Sequence, residues 1–347
     1  MDIKNKESDA IYIMRAIGIM TVVIGHHWGI LVGITKPYLY HMPLFFFLGG
    51  IFINGENPMK KSISASYKIL RYLILTYIII GSFSILISSK FKSNLGNPFG
   101  DGIVDTITLI FSNNFHNNEL FLVGWFLFTY LISFIIVNFI INLSSKTSSE
   151  VKKTTFLLIT GIILGIISVN LFSMLYKNTS LQIYNLLSQI FYASMFMIFG
   201  NLFWKKFIYI KNYILLLMIA SIVIITYYSG ISKAIIMSWS NYPSGFFIST
   251  VIAIMCIILI SFLASVLSKS RANKILINIG KESREIMSYH LVCFVIIDLI
   301  FYSIGLWDMS KTTSMIHYKS FLSQFIYISL GVIIPVTFVF IIKKLKF

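Results

Sequence analysis

The sequence predicts an all-α, polytopic membrane protein of about ten transmembrane helices, with both termini cytoplasmic. Three observations predict it: an excess of apolar residues, their grouping into long runs, and the sidedness of the cations between those runs. Hydrophobic residues fill 57% of the 347 positions and charged residues only 12%, about half the charged share of a soluble domain. Mean hydropathy is +0.85. The runs are apolar all round, as suits helices that satisfy their own backbone hydrogen bonds in lipid, and they lack the alternation of barrel strands.

A crossing needs roughly 20 apolar residues. On that length the expected helices lie at about 11–34, 38–54, 69–89, 120–143, 154–176, 182–203, 213–229, 246–267, 286–305 and 320–342. With the N-terminus inside, 21 of the 28 Lys and Arg residues fall on the inner side, including every Arg. That asymmetry fixes the orientation. The seven outer cations are Lys36, Lys90, Lys92, Lys177, Lys233, Lys311 and Lys319. Met1 to Ala10 is polar, and the run that follows is too long for a signal-peptide core and contains Arg15, so it reads as a retained first helix.

The net charge of +16 is distributed as short clusters between apolar runs, the pattern of cytoplasmic loops, and forms no basic face for nucleic acid. The two cysteines, Cys256 and Cys293, lie inside apolar runs. They indicate no disulfide framework and no zinc spacing, so no metal is expected. The chain reads as one integral membrane domain, residues 1–347. Its longest outer segment, about Lys90 to Glu119, has room for a short interfacial helix from Asp105 to Phe115. Ser144 to Lys153 and Ser268 to Arg284 read as inner linkers.

Ionisable groups at membrane depth are costly, so each is a functional candidate. Arg15 and His26 stand eleven residues apart on the first helix. At about 100° per residue they share a face, and the rise between them is about 16 Å. Arg15 then lies near the inner surface and His26 past the midplane. Arg15 also fits a snorkelling anchor, and His26 an interhelical hydrogen bond. His27 and Trp28 follow directly, with His27 turned about 100° away. The second helix opens His41-Met-Pro-Leu-Phe-Phe-Phe-Leu-Gly49-Gly50. It places His41 at the outer side and two glycines where helices can approach closely.

Lys68 and Arg71 are neighbours on a helix face at the inner side. They suit phosphate groups, and equally a positive-inside anchor. Glu119, with His116 just before it, opens the fourth helix near Trp125. It could orient a histidine, bind a hydroxyl, or simply favour the helix N-terminus. Later, Arg284 and Glu285 stand at the inner surface, His290 lies a little over one turn deeper, and Asp298 is the one acid well inside an apolar run, where it needs a buried polar partner.

These residues carry a pattern that resembles the membrane acyltransferase 3 family, the bacterial carbohydrate O-acetyltransferases. Arg15 and His26 look like the family's first-helix Arg and His. His41-Met-Pro-Leu-Phe-Phe-Phe-Leu-Gly-Gly is similar to its second-helix motif, Lys68-Ile-Leu-Arg71 to its basic element, Trp125-Phe-Leu to its W-F-L, and Ile279-Gly-Lys-Glu-Ser through His290 to its late segment. The departures are Tyr12 for an Asp, Ala16 and Gly49 for Gly and Ser, and Lys68 for an Arg, which loses the planar fork.

The resemblance implies transfer of an acyl group, acetyl above all, from cytoplasmic acetyl-CoA to a carbohydrate hydroxyl at the outer face of a bacterial plasma membrane. It implies Arg15, Lys68 and Arg71 on the donor side, and Arg15 and His26 as the catalytic residues, with His26 as general base or as nucleophile. His27, His41, Glu119, Trp125 and His290 are the substrate-binding candidates. The competing classes are a transporter or flippase for a polysaccharide precursor, with the buried polar groups as its path, and a non-catalytic partner of a glycan-synthesis complex.

Overall fold

A computed structural model describes residues 3–27, 29–147, 149–270 and 273–345. Trp28, and the inner cations Arg271 and Lys346, lie outside the described residues. The chain is 78% helical with no strands among the described residues. Among the described residues fourteen α-helices follow in order: α1 Ile3–Gly25, α2 Ile30–Thr35, α3 His41–Gly50, α4 Pro58–Phe91, α5 Ile103–Ser112, α6 Gly124–Ser145, α7 Glu150–Ile167, α8 Ser173–Thr179, α9 Gln182–Ile208, α10 Tyr213–Tyr228, α11 Gly245–Leu267, α12 Asn273–Lys281, α13 Ser283–Ser303 and α14 Ser323–Leu345. A π-helical stretch, Ser168–Phe172, runs α7 on into α8.

Among the described residues, eight helical spans are long and apolar enough to cross a membrane. Each of the ten expected segments contains helix, and two of them are shorter: α3 has 10 residues and α10 has 16. The protein is a multi-pass membrane protein.

Several boundaries differ from the sequence expectation, among them the start of α4 at Pro58, before the expected 69. The first helix does not run to residue 34. Its ladder loosens at the end, where the His26 N–H reaches Val22 and Val23 carbonyls at 3.3 Å and the His27 N–H bonds Ile24 three residues back. Gly29 is then extended, at φ −176°, and a separate turn of helix, α2, starts. Lys36 closes α2 in the left-handed conformation at φ 46°, followed by Pro37, which cannot continue it. In the outer segment, α5 forms slightly earlier than expected, with Asp105 in its first turn. Within the stretch 268–284, expected as a linker, α12 is helical.

The chain forms two compact units. The first holds Met1–Met14, Tyr38–Arg71 and Phe126–Asn273, and the second holds Arg15–Pro37, Tyr72–Trp125 and Lys274–Phe347. In the first unit α3 lies directly on α9. A Cβ on Gly50 would overlap the Met197 carbonyl, and one on Gly200 the Phe47 carbonyl, so both glycines are required for backbone-to-backbone approach. Gly49 instead faces the Tyr130 ring.

In the second unit α13 and α14 pack through Phe294, Tyr327 and Gly331, with Val23 of α1 against Gly331. The loop between α13 and α14 is tied down by Ser93, whose hydroxyl donates to the Met309 carbonyl at 2.6 Å.

Gly50→Ala is expected to destabilise the protein by about 1–3 kcal/mol, because backbone atoms rather than a movable side chain obstruct the methyl group. Thermal unfolding in detergent would show it as a lowered Tm, whereas an unchanged Tm would mean that α3 and α9 are not in backbone contact.

Candidate active site

The second unit gathers four of the chain's six histidines, three of them around one aromatic ring. Phe294 lies edge-on to His27 at 6.1 Å, His290 at 5.8 Å, His317 at 5.2 Å and Tyr327 at 5.3 Å between ring centroids. His26 joins the group through His290, with centroids 5.0 Å apart and planes tilted by 56°. His27 stacks on Tyr327 at 4.7 Å and lies nearly parallel to His317 at 6.3 Å.

The cluster is ordered by Asp298, which is fully buried on α13. One carboxylate oxygen accepts from His317 Nδ1 at 2.8 Å and Thr312 Oγ1 at 3.2 Å. The other accepts from the Tyr318 N–H at 3.3 Å and the Tyr327 hydroxyl. Four donors saturate the carboxylate. That satisfies the requirement on a buried acid, since charge-assisted hydrogen bonds must replace lost hydration. The network continues outward, with the Trp307 indole N–H donating to Thr312 Oγ1 at 2.8 Å.

His290, also buried, is held differently. Its Nδ1 lies 3.0 Å from the Ile286 carbonyl and 2.9 Å from the Met287 carbonyl, both on the preceding turn of α13. Carbonyls only accept, so Nδ1 carries the proton. In the neutral ring Nε2 then carries the lone pair, and it is buried and without a hydrogen-bond partner among the described residues. A lone pair so placed beside a second imidazole can accept a proton or attack a carbonyl.

A family model described as an acyltransferase domain matches residues 8–342. The chain belongs to this acyltransferase family. No curated protein and no solved structure matches it. The match spans both units, so the cluster lies within the acyltransferase domain, and the protein is a membrane acyltransferase.

The acyltransferase brings three expected site residues together: His26, His27 and His290. Arg15, half-buried, shares their unit and stands eleven residues before His26 on α1, with the helical ladder unbroken from Arg15 to Gly25. Glu119 belongs to that unit too. Its carboxylate accepts from the Ser314 N–H at 3.1 Å and hydroxyl at 2.9 Å, so it fastens the loop that carries His317. His116 bonds the Asn114 carbonyl through Nδ1 at 2.8 Å, and its imidazole is held below the usual histidine value by burial. Trp125 is buried at the start of α6.

His41, Lys68 and Arg71 belong to the first unit. His41 is buried, edge-on to Tyr38 at 5.1 Å. Lys68 and Arg71 are exposed on α4 and form no ion pair among the described residues. Sequence reasoning missed His317, Tyr327 and Thr312 as site residues. The available signal was Asp298 itself, whose demand for partners was clear, while their position in the loop and helix beyond it was not.

His27 lies past the α1 span and is buried. Burial first, then the nearby charges of His317 and Lys319, lower its imidazole to about 4. The unfolded chain, with a value near 6.5, therefore binds this proton first. The corresponding stability is present above about 6.5 and is lost as pH falls through about 4. Tm measured in detergent should decline across that window, and His27→Asn should flatten the decline. A pH dependence identical in the variant would assign the effect elsewhere.

Asp298→Ala orphans four donors and should cost about 3–5 kcal/mol. Tyr327→Phe, which removes one bond to a charged group, should cost about 1.5–3 kcal/mol. Denaturation of the two variants beside the wild type checks both the order and the size.

Proposed function

We propose that the protein is an O-acetyltransferase that moves the acyl group of cytoplasmic acetyl-CoA to a hydroxyl of an extracytoplasmic or lipid-linked carbohydrate, in the plasma membrane of a bacterium. The observation that carries the reading is the His26–His290 pair within an acyltransferase domain: two imidazoles 5.0 Å apart, one with its tautomer fixed and its Nε2 bare.

In the reaction an acceptor hydroxyl loses its proton to an imidazole nitrogen as its oxygen attacks the thioester carbonyl. The C–S bond breaks, and the departing thiolate takes up the proton. His26 serves as general base in a direct transfer. Alternatively it takes the acetyl group on its own nitrogen, releasing the thiol first, and passes it to the hydroxyl second. His290 supports either course by accepting or returning a proton at Nε2.

On the donor side, Lys68 and Arg71 offer exposed cations to the phosphates of the co-substrate, and Arg15 lies half-buried on the helix that ends at His26. A bidentate Arg suits phosphate better than the point charge of Lys, so Arg71 contributes more than Lys68. The candidates for acceptor binding are His27, Glu119 and Trp125 of the second unit and His41 of the first.

Purified protein in detergent, given acetyl-CoA radiolabelled in the acetyl group and membrane glycans, should release thiol and transfer label to the glycan fraction. His26→Ala should lower that turnover by about 10²- to 10⁴-fold while Tm stays near the wild-type value. Absence of wild-type turnover, with no binding of acetyl-CoA, would point instead to a transporter for a polysaccharide precursor.

A further inference from the structure

Beyond the histidine cluster, the second unit carries an open cleft of about 580 Å³ in the loop between α13 and α14, within the size range of small-molecule sites. Six of its lining residues define its chemistry: Trp307, Tyr318, Lys311, Lys319, Asp308 and His317.

Trp307 and Tyr318 make an aromatic corner, edge-on at 6.2 Å. The indole N–H is already spent on Thr312, which leaves the ring itself to meet a ligand. Both aromatics are tied to the buried carboxylate, Trp307 through Thr312 and Tyr318 through its own N–H, so the corner is rigid. An aromatic surface of this kind suits the C–H face of a sugar ring.

The charges are unbalanced. Lys311 and Lys319 are exposed and make no ion pair within 4.0 Å among the described residues. The one acid in the lining, Asp308, is occupied by the Ser310 N–H at 3.0 Å and hydroxyl at 2.8 Å. Those bonds, aided by Lys311, hold its carboxyl below the usual range. The cleft is thus lined by two lysines and a single, already satisfied carboxylate. The back wall is His317, whose ring lies 6.3 Å from His27, the chain neighbour of His26.

We propose that this cleft is the acceptor subsite and that it takes a saccharide bearing an acidic group, with a sugar ring against Trp307 and the acid between Lys311 and Lys319. The proposal rests on the reading of the protein as a carbohydrate acyltransferase and narrows its substrate class.

The test is calorimetric titration of the full-length protein, in neutral detergent, with trigalacturonate and with its neutral counterpart galactotriose. The wild type should bind the acidic trisaccharide at least about tenfold more tightly, with a preference that shrinks as salt rises, as expected of exposed charges. The Lys311→Gln/Lys319→Gln variant should lose the preference. Equal binding of the two sugars, a preference retained in the variant, or binding only to phosphatidylglycerol nanodiscs would each overturn the proposal. Thiol release from acetyl-CoA by the same wild-type preparation is read separately. Its absence would defeat the acyl-transfer reading, while the sugar titration alone decides the cleft.

Discussion

A carboxylate inside a membrane-spanning helix is the constraint around which the second unit is organised. Asp298 cannot keep its charge there without donors, and it receives four, from a histidine, a threonine, a tyrosine and a backbone N–H. Three of these donors come from the loop between α13 and α14, and one from α14 itself. Saturating this single group therefore fixes the loop, seats α14 on α13 and sets the His317 and Tyr327 rings. Those rings in turn hold His27. Glu119, in the segment before α6, and Ser93, just past the end of α4, pin the same loop, which leaves the loop few ways to move without unpairing the acid from its donors. Breaking such a buried network is costly because the remaining groups stay desolvated.

The functional consequence lies one layer further in. His290 uses α13's own carbonyls to fix its proton on Nδ1, so its reactive nitrogen is set by helix geometry and not by a second acid. His26 sits where α1 gives out, at a loosened last turn. A residue at a helix end can adjust its ring without disturbing the helical ladder before it, which suits the acyl-transfer role proposed for His26. A rigid imidazole on a continuous helix beside a more adaptable one at a helix end is a reasonable division of labour for acyl transfer, in which positioning supplies much of the rate.

The helical class was legible because hydropathy and backbone satisfaction leave few alternatives in lipid. The close approach at Gly50 was legible as well, since small residues on an apolar helix announce a packing seam. The break after Gly25 was not, because the run 11–34 remains apolar across it and only Gly25 and Gly29 mark the place. Among the site residues, His26, His27 and His290 stood out as polar groups within apolar runs. His317 did not, because it lies in a loop where a histidine is unremarkable, and Tyr327 is one of 19 tyrosines. Pairing them with Asp298 requires knowing that the loop folds back over α13, which is tertiary information. The cleft beside Trp307 was hidden for the same reason.

The proposed chemistry requires His26 and His290 to act as one chemical unit. A double-mutant cycle on acetyl transfer tests it most directly, comparing kcat/KM for the wild type, His26→Ala, His290→Ala and the double variant, with Tm confirming that each is folded. Coupled residues give strongly non-additive losses. Each single variant is expected to be severely impaired, and the double variant scarcely worse than the weaker single one. Additive losses, or near-wild-type transfer by His290→Ala, would contradict it.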